Sequence, residues 1–510
     1  MPRLSKQAKI FIILLIAAAA VYTGLHAALF VFSCDELYSV HYAREPIWPF
    51  IVHYFQAPDT HPIGYYLLLN AWQKMWQINF SNDWLYLVPS VIFYFLAVAF
   101  CAKQYLTVWI DRWWFLILAI GSSYFFVFAP MIRYYSLTAL ATVVAVYYLW
   151  QWLKTERRRD LIYGLAAMVM LCWSDYVPGL FLFILMAALF LAWPAARRKI
   201  LNQDLWLGLL LSVLAILPSL YLYHVYTAHG TGFVFNTLTQ AAVNWRGVAK
   251  FLLGVFLAPY HLLIGEYAQL LVSPLFYLLL IGLFYLAFRQ YRKLPRGEAK
   301  QDDKFYSLFA SAYIVLASFL LTFVFGRYSI SLYARFMPAA GLILLVLLVR
   351  LCRPRWALIV LLAINLFVLV NNLQGKNFIN ATYFQPIKQT LAIARAYDVP
   401  ILTPTNALSG INDDAVEYGS DYLLEKNFPT RTYTDIKAIK SDQYLLIVEY
   451  YMDWADEQAV EKNMTSQYNS TIISGGAYET INSATRSLLN KIGVLVPASK
   501  FHWYILQKNK

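Results

Sequence analysis

Long apolar blocks alternate with short basic loops along this chain, and that alternation limits what it can fold into. "IFIILLIAAAAVYTGLHAALF" opens the series and "GLILLVLLVRLC" stands near its end. A helix needs roughly 20 apolar residues to cross about 30 Å of hydrocarbon. No water is present at that depth to satisfy a free backbone group, so the blocks must be helices. The 510 residues are 60% hydrophobic and 14% charged, against about 25% charged in soluble domains. The chain reads as an α-helical polytopic membrane protein.

Charge supplies a direction. The net charge of +13 would suit nucleic acid, but residues 1–372 carry +14 and residues 373–510 carry −1. In the first part the basic residues gather in "TERRRD", "ARRK", "RQYRKLPRGEAKQDDK" and "RLCRPR". This is the positive-inside pattern, and it argues for a membrane and against a nucleic-acid partner. Spans are expected near 10–32, 83–102, 113–130, 134–153, 161–175, 178–195, 205–226, 270–289, 305–326, 336–352 and 355–372. These are about 11, with the N-terminus inside and the C-terminus outside. Of the 28 basic residues in this part, 21 then fall inside and 7 outside. A full span at 249–265 would put the basic loop after Phe288 on the wrong side. "AKFLLGVFLAPYHLLIGEY" is therefore expected to be an interfacial or re-entrant helix. The basic N-terminus, with small residues before Ala28, also has features of a cleavable signal. The apolar run continues through Phe32, which favours an uncleaved first span.

Two outer loops are long, 33–82 and 227–269. The first holds "HPIGYYLLLNAWQKMWQI", a helix with a proline at its start, expected to lie along the outer membrane surface. Past about residue 373 the composition changes. "QPIKQTLAIARAYDVPILTPTN" reads as helix then strand, and "DQYLLIVEYY" and "FHWYILQKN" as further strands. Residues 373–510 are expected to form a small extracytoplasmic α/β domain. Cys34, Cys101, Cys172 and Cys352 lack metal-binding spacing. On this topology Cys34 and Cys172 lie near the same face, which leaves a disulfide between them open, with buried free thiols the favoured reading.

With the topology set, the informative residues are polar groups in apolar surroundings. Asp35 and Glu36 follow the first span in "VFSCDELYSV". Asp59 and His61 lie in "DTHP". "APMIRYYSL" carries Arg133 and "CWSDYVPG" carries Asp175 and Tyr176. "GRYSISLYARFMP" carries Arg327 and Arg335. All fall on the outer side. Each has a plainer reading: a solvated edge or helix cap for the Asp-Glu pair and a cap for Asp59. Equally, His61 reads as an ordinary interfacial histidine, Arg133 and Arg335 as arginines snorkelling to headgroups, and Asp175 as a structural ion-pair partner. Together they suit chemistry on an anionic lipid head. A sugar linked through phosphate to a lipid already has a leaving group. Transfer then needs a carboxylate base for the acceptor hydroxyl and guanidinium groups for the departing phosphate.

The order "DELYSVHYA", "DTHPIGYYLLLNAW", "IRYYSL", "SDYVPGL", "YARFMPAAGLILL" resembles the GT-C superfamily of integral-membrane glycosyltransferases. It is most similar to bacterial relatives of the protein O-mannosyltransferases (glycosyltransferase family 39) and of the lipid A aminoarabinose transferase. The resemblance covers residues 1–372, which it marks as the catalytic domain, and extends to the tail. It implies a polyprenyl-phosphate sugar donor, a lipid, glycan or protein acceptor, and action at the outer face of a bacterial inner or plasma membrane. It makes Asp35 the base and Glu36 a second acid that orients base or acceptor. Arg133 and Arg335 would contact the lipid phosphate, with Asp59, His61, Asp175, Tyr176 and Arg327 around the substrate. Where many relatives read His-Pro-Pro, this chain has His61-Pro62-Ile63; where many read His-Tyr, it has Asp175-Tyr176. The resemblance implies no obligatory metal, although the carboxylates leave a divalent cation open. A flippase or transporter of lipid-linked sugar, a polymerase or ligase of lipid-linked glycan, and a sensor are the competing readings. A transporter needs broken helices or charges at mid-depth, and the spans show few.

Overall fold

A computed structural model of the full chain describes residues 5–29, 34–56, 61–192, 202–228, 245–265, 273–295, 297–319 and 337–373. In the C-terminal region it describes 395–402, 436–451, 469–479 and 499–509, with residues 32, 322, 392–393 and 432–433 besides. The chain divides into two compact units. One comprises Met1–Ala28, Ala43–Ile78 and Trp84–Asn372; the other comprises Leu29–Tyr42, Asn79–Asp83 and Leu373–Lys510.

The first unit is a helical membrane bundle. Its helices are α1 (Lys6–Leu29), α3 (Ile47–Gln56), α4 (Gly64–Trp76), α5 (Val88–Gln104), α6 (Trp109–Ile120), α7 (Ser123–Phe128), α8 (Tyr135–Thr155), α9 (Arg158–Ser174) and α10 (Tyr176–Ala192). They continue with α11 (Gln203–Ala228), α12 (Trp245–Ile264), α13 (Ser273–Lys293), α14 (Glu298–Phe319), α15 (Pro338–Leu351) and α16 (Arg355–Leu373). A further helix, α2 (Cys34–Arg44), crosses from the second unit into the first at Tyr42–Ala43. Among the described residues, five segments are long and apolar enough to cross a membrane: Lys6–Leu29, Asp83–Gln104, Tyr135–Thr155, Gly247–Ile264 and Pro274–Lys293. Shorter apolar helices cover Pro178–Ala188, Gln203–Pro218, Pro338–Leu351 and Arg355–Val370. The segment expected to be interfacial or re-entrant is thus a helix of span-like length, and it packs against α15, α14 and α7.

The core lies around α15. Twelve of its residues from Ala339 to Leu351 are buried, because α5, α6, α8, α12, α13 and α14 all pack on it. Lipid-facing helices carry exposed apolar side chains instead, such as Ile13 and Ile16 of α1.

The third expected span is not one helix. It breaks between α6 and α7, and a break inside hydrocarbon is tolerated only where the freed backbone groups find partners. Here they do. Tyr22 donates to the Ile120 carbonyl at 2.6 Å and Tyr94 to that of Ala119 at 2.8 Å. Ser122 caps α7 by accepting from the Phe125 amide at 3.3 Å. The Ser123 amide donates to Asn365 Oδ1 at 3.1 Å, while Asn365 Nδ2 donates to the Leu263 carbonyl at 2.8 Å. Gly265, at the end of α12, has φ +85°, and a Cβ there would lie 2.9 Å from Ser123 Oγ. Asn365→Leu would strand a buried donor and a buried acceptor. It is expected to cost about 2–4 kcal/mol, read as a lowered thermal midpoint of the purified protein, whereas a surface Asn→Leu control should not move it.

Charges at one end of the bundle tie helix ends together. Lys154 meets Asp302 at 3.0 Å, and Trp150 Nε1 donates to the same carboxylate at 2.7 Å. Arg350 Nε lies 3.0 Å from Asp303 Oδ1, and Arg355 pairs with Asp111. These are the ends that the charge pattern assigns to the inside, so several basic loop residues there also hold the fold. Burial pushes Asp303 up to about 6, against the pull of Arg350. The native state then binds this proton more tightly than the unfolded chain does. Stability should be highest below about pH 4 with respect to this group and fall as pH rises towards 6, by up to about 3 kcal/mol. Thermal midpoints between pH 4 and pH 6 should show the fall, and Asp303→Asn should flatten it.

In the second unit a five-stranded sheet has the order β2-β1-β3-β5-β4. Its strands are β1 (Ile401–Leu402), β2 (Thr432–Tyr433), β3 (Gln443–Tyr451), β4 (Ser470–Glu479) and β5 (Ser499–Lys508). β1 runs parallel to β2 and β3, while β5 is antiparallel to β3 and β4. Tyr444, Leu445, Tyr504, Ile505 and Leu506 are buried in it. The three expected strands are present. β4 was not expected, because Gly475 and Gly476 and its serines weaken strand propensity; pairing along β5 supplies what propensity lacks. Most of the helical stretches expected between strands lie outside the described residues.

Candidate functional site

The turn "APMIRYYSL" between α7 and α8 is buried, which is unusual for a connection between spans. Its backbone is satisfied from within the protein. Ser136 Oγ donates to the Ala129 carbonyl at 3.0 Å, and Ser90 Oγ donates to that of Arg133 at 3.3 Å. Tyr65 in turn hydrogen-bonds Ser90 at 2.8 Å. Arg133 is only 4% exposed. Snorkelling to headgroups therefore does not describe it: a guanidinium at a headgroup would be solvated.

Aromatic groups frame that guanidinium. Arg133 Nη1 donates to Tyr66 Oη at 3.3 Å, and its Cζ lies 5.4 Å from the Tyr134 ring centroid. Tyr134 reaches His61 as well: Oη and Nε2 are 3.4 Å apart, and the two rings sit 4.6 Å apart at 45°. Tyr54 donates to the His61 carbonyl, and the Tyr54 and Tyr66 rings are 6.1 Å apart. His61 is thus one corner of an Arg–Tyr–His cluster and not a solitary interfacial histidine.

Local sequence explains how His61 arrives there. Pro62 disfavours helix at the residue before it. The helix starts later than expected, at Gly64, with Ile63 at the N-cap and no side-chain cap. A Cβ on residue 64 would sit 2.4 Å from the Trp173 carbonyl oxygen. Only glycine lets α4 approach the end of α9 so closely. This brings the His61 segment beside the residues leading into Asp175.

Asp175 ends α9 in an extended conformation, φ −158° and ψ 128°, and is 1% exposed. It interacts electrostatically with Tyr313 and with Cys172. Tyr176 starts α10 and is half-buried. Cys172 is a free thiol, as are Cys101 and Cys352, so Cys172 is not bridged to Cys34.

Asp35 and Glu36 stand in the first turn of α2, where a helix dipole favours carboxylates. Glu36, Ser39 and Val40 are fully buried along one face of that helix. A solvated loop edge does not account for a Glu36 at 0% exposure. At the other end of α2, Asn70 Nδ2 donates to the carbonyls of Ala43 at 3.0 Å and Glu45 at 2.8 Å. The Asp35 side chain and residues Asp59, Arg327 and Arg335 lie outside the described residues. Among the described residues no group of three or more His, Cys, Asp or Glu is placed to hold a metal ion.

Tyr54, Tyr66, Tyr134 and Ser90 belong to the arrangement around Arg133, and Asn70 holds the end of α2; none was singled out by sequence. The tyrosine after Arg133 in "IRYYSL" was the one visible signal. The others look like ordinary residues of an aromatic-rich chain.

Fold and polar residues together define a class: an integral-membrane helical bundle with a C-terminal mixed sheet, and a buried arginine framed by tyrosine and histidine where α7 meets α8. No protein-family model matches the chain, and no curated protein matches it in sequence. Among solved structures it is similar to ArnT from Cupriavidus metallidurans in the apo state, with a TM-score of 0.46 and 11% identity over 98% of both chains. It is also similar to ArnT from that organism bound to undecaprenyl phosphate, with a TM-score of 0.47 and 11% identity over 98% of both chains.

Proposed function

We propose that the chain is a GT-C-type glycosyltransferase that moves a sugar from a polyprenyl-phosphate donor to an acceptor hydroxyl at the outer face of the membrane. The observation that carries this reading is the buried Arg133, held in orientation by Tyr66 and Tyr134. A fixed guanidinium in low dielectric suits a phosphate whose charge grows as the sugar leaves. The resemblance of the motif order to the GT-C superfamily supports it further.

In this reading the Asp35 carboxylate takes the acceptor proton. The acceptor oxygen bonds the anomeric carbon as the bond from that carbon to the phosphate oxygen breaks. The electron pair leaves with the polyprenyl phosphate, whose added negative charge Arg133 and Arg335 neutralise. One displacement inverts the anomeric centre. Glu36 orients Asp35 or the acceptor. His61, Asp59, Asp175, Tyr176 and Arg327 line the donor and acceptor. No metal takes part in this scheme, and a divalent ion bound by the carboxylates is the variant reading.

Mass spectrometry of envelope lipids and glycans from cells with and without the protein is the test. A sugar-sized mass increment that depends on the protein is expected. Identical profiles would count against transfer. The transporter alternative gains one observation, the break between α6 and α7, which lies within a span. That break is closed by Tyr22, Tyr94 and Asn365 and carries no charge of its own. Movement of labelled carrier lipid in proteoliposomes without transfer would favour transport.

A further inference from the structure

We infer that Tyr134 is a positioning residue: its ring sets the direction of the Arg133 guanidinium, and its hydroxyl ties that orientation to His61. This rests on the reading of Arg133 as the contact for an anionic lipid head. Arg133 has a long, rotatable side chain, and a guanidinium recognises phosphate only when its donors point at it. The guanidinium is fixed from two sides. Tyr66 Oη takes one Nη1 hydrogen at 3.3 Å, and the Tyr134 ring covers a face, with its centroid 5.4 Å from Cζ.

Tyr134 itself is immobilised. It is 1% exposed, stands against Tyr135 at 4.9 Å and 69°, and meets the His61 ring at 4.6 Å. Its hydroxyl lies 3.4 Å from His61 Nε2. A change at His61 would reach Arg133 through one aromatic ring. The Tyr134 backbone is held too, since the Thr138 amide donates to its carbonyl at 2.8 Å at the start of α8. Aromatic residues are interchangeable in the first role and not in the second. Phenylalanine keeps the face that carries the cation and loses the hydroxyl's link to His61.

A double-mutant cycle on the full-length protein, with undecaprenyl phosphate as the probe in nanodiscs, tests this. Tyr134→Leu should weaken binding about tenfold, and Tyr134→Phe by no more than about threefold, as expected for loss or retention of a desolvated cation–π contact. In an Arg133→Ala background, Tyr134→Leu should change binding by less than about twofold, because nothing remains to orient. Equal losses from Tyr134→Leu in both backgrounds would make Tyr134 a packing residue and overturn the inference alone. So would Tyr134→Phe binding as poorly as Tyr134→Leu. Wild-type binding by Arg133→Ala would overturn the anion-contact reading and this inference with it. If Tyr134→Leu does not fold, Tyr134→Met, closer in volume and also non-aromatic, replaces it in the cycle.

Discussion

Asp35→Asn is expected to abolish sugar transfer, lowering the rate by about 10³-fold or more, as loss of a general base does. The substitution keeps the size and outline of the side chain and removes its negative charge, and with it the capacity to take a proton. The position lies in the first turn of α2, whose buried face includes Glu36, Ser39 and Val40. Asparagine is well accepted near a helix start, so thermal midpoint and membrane insertion should stay unchanged. Undecaprenyl phosphate binding should also persist, because in the proposed scheme the base acts on the acceptor and not on the phosphate. Protein-dependent mass increments in envelope lipids or glycans are the readout. Normal transfer by Asp35→Asn would sink the assignment. Glu36→Gln separates the two acids: a loss of similar size would mean that the pair shares the proton, and a loss of about tenfold would mean that Glu36 orients its neighbour.

Arg133→Ala is expected to have the next largest effect, a loss of about 10²–10³ in transfer, typical for removing a preorganised group from developing charge. Arg133→Lys should recover little of it. An ammonium is a point charge without the planar fork, and it cannot present paired donors while lying on the Tyr134 ring. Both variants should weaken undecaprenyl phosphate binding, measured directly on the purified protein. Ser90 and Ser136 hold the turn around Arg133 through backbone carbonyls, contacts that the substitution leaves in place. The bundle should therefore survive the substitution, and a matched thermal midpoint checks this. Wild-type transfer by Arg133→Ala would remove the proposed role of the guanidinium.

Part of this was legible in sequence for a physical reason. Hydrocarbon forces helices and repels charge, so apolar length and basic loops revealed the helical bundle, and polar residues in apolar surroundings marked positions worth inspecting. The strands β3 and β5 were legible because both are dense in β-branched and aromatic residues. β4 was not, since its glycines and serines become a strand only through its partner. The break at Gly121–Ser122 was hidden for a related reason: the residues that satisfy it, Tyr22, Tyr94 and Asn365, come from three other helices.

The sequence alone determined that this protein is an integral-membrane bundle with a distinct C-terminal region, because solvent transfer energy depends on composition and segment length. It also nominated Arg133 and His61 from their chemical types. Only the tertiary structure decided that Arg133 is buried, that Tyr134 stands between Arg133 and His61, and that Gly64 lets α4 reach the end of α9. Those contacts join residues far apart in sequence, 73 positions from His61 to Tyr134 and 109 from Gly64 to Trp173. Packing of side chains across helices sets such distances, and one-dimensional patterns of hydropathy and charge do not encode them.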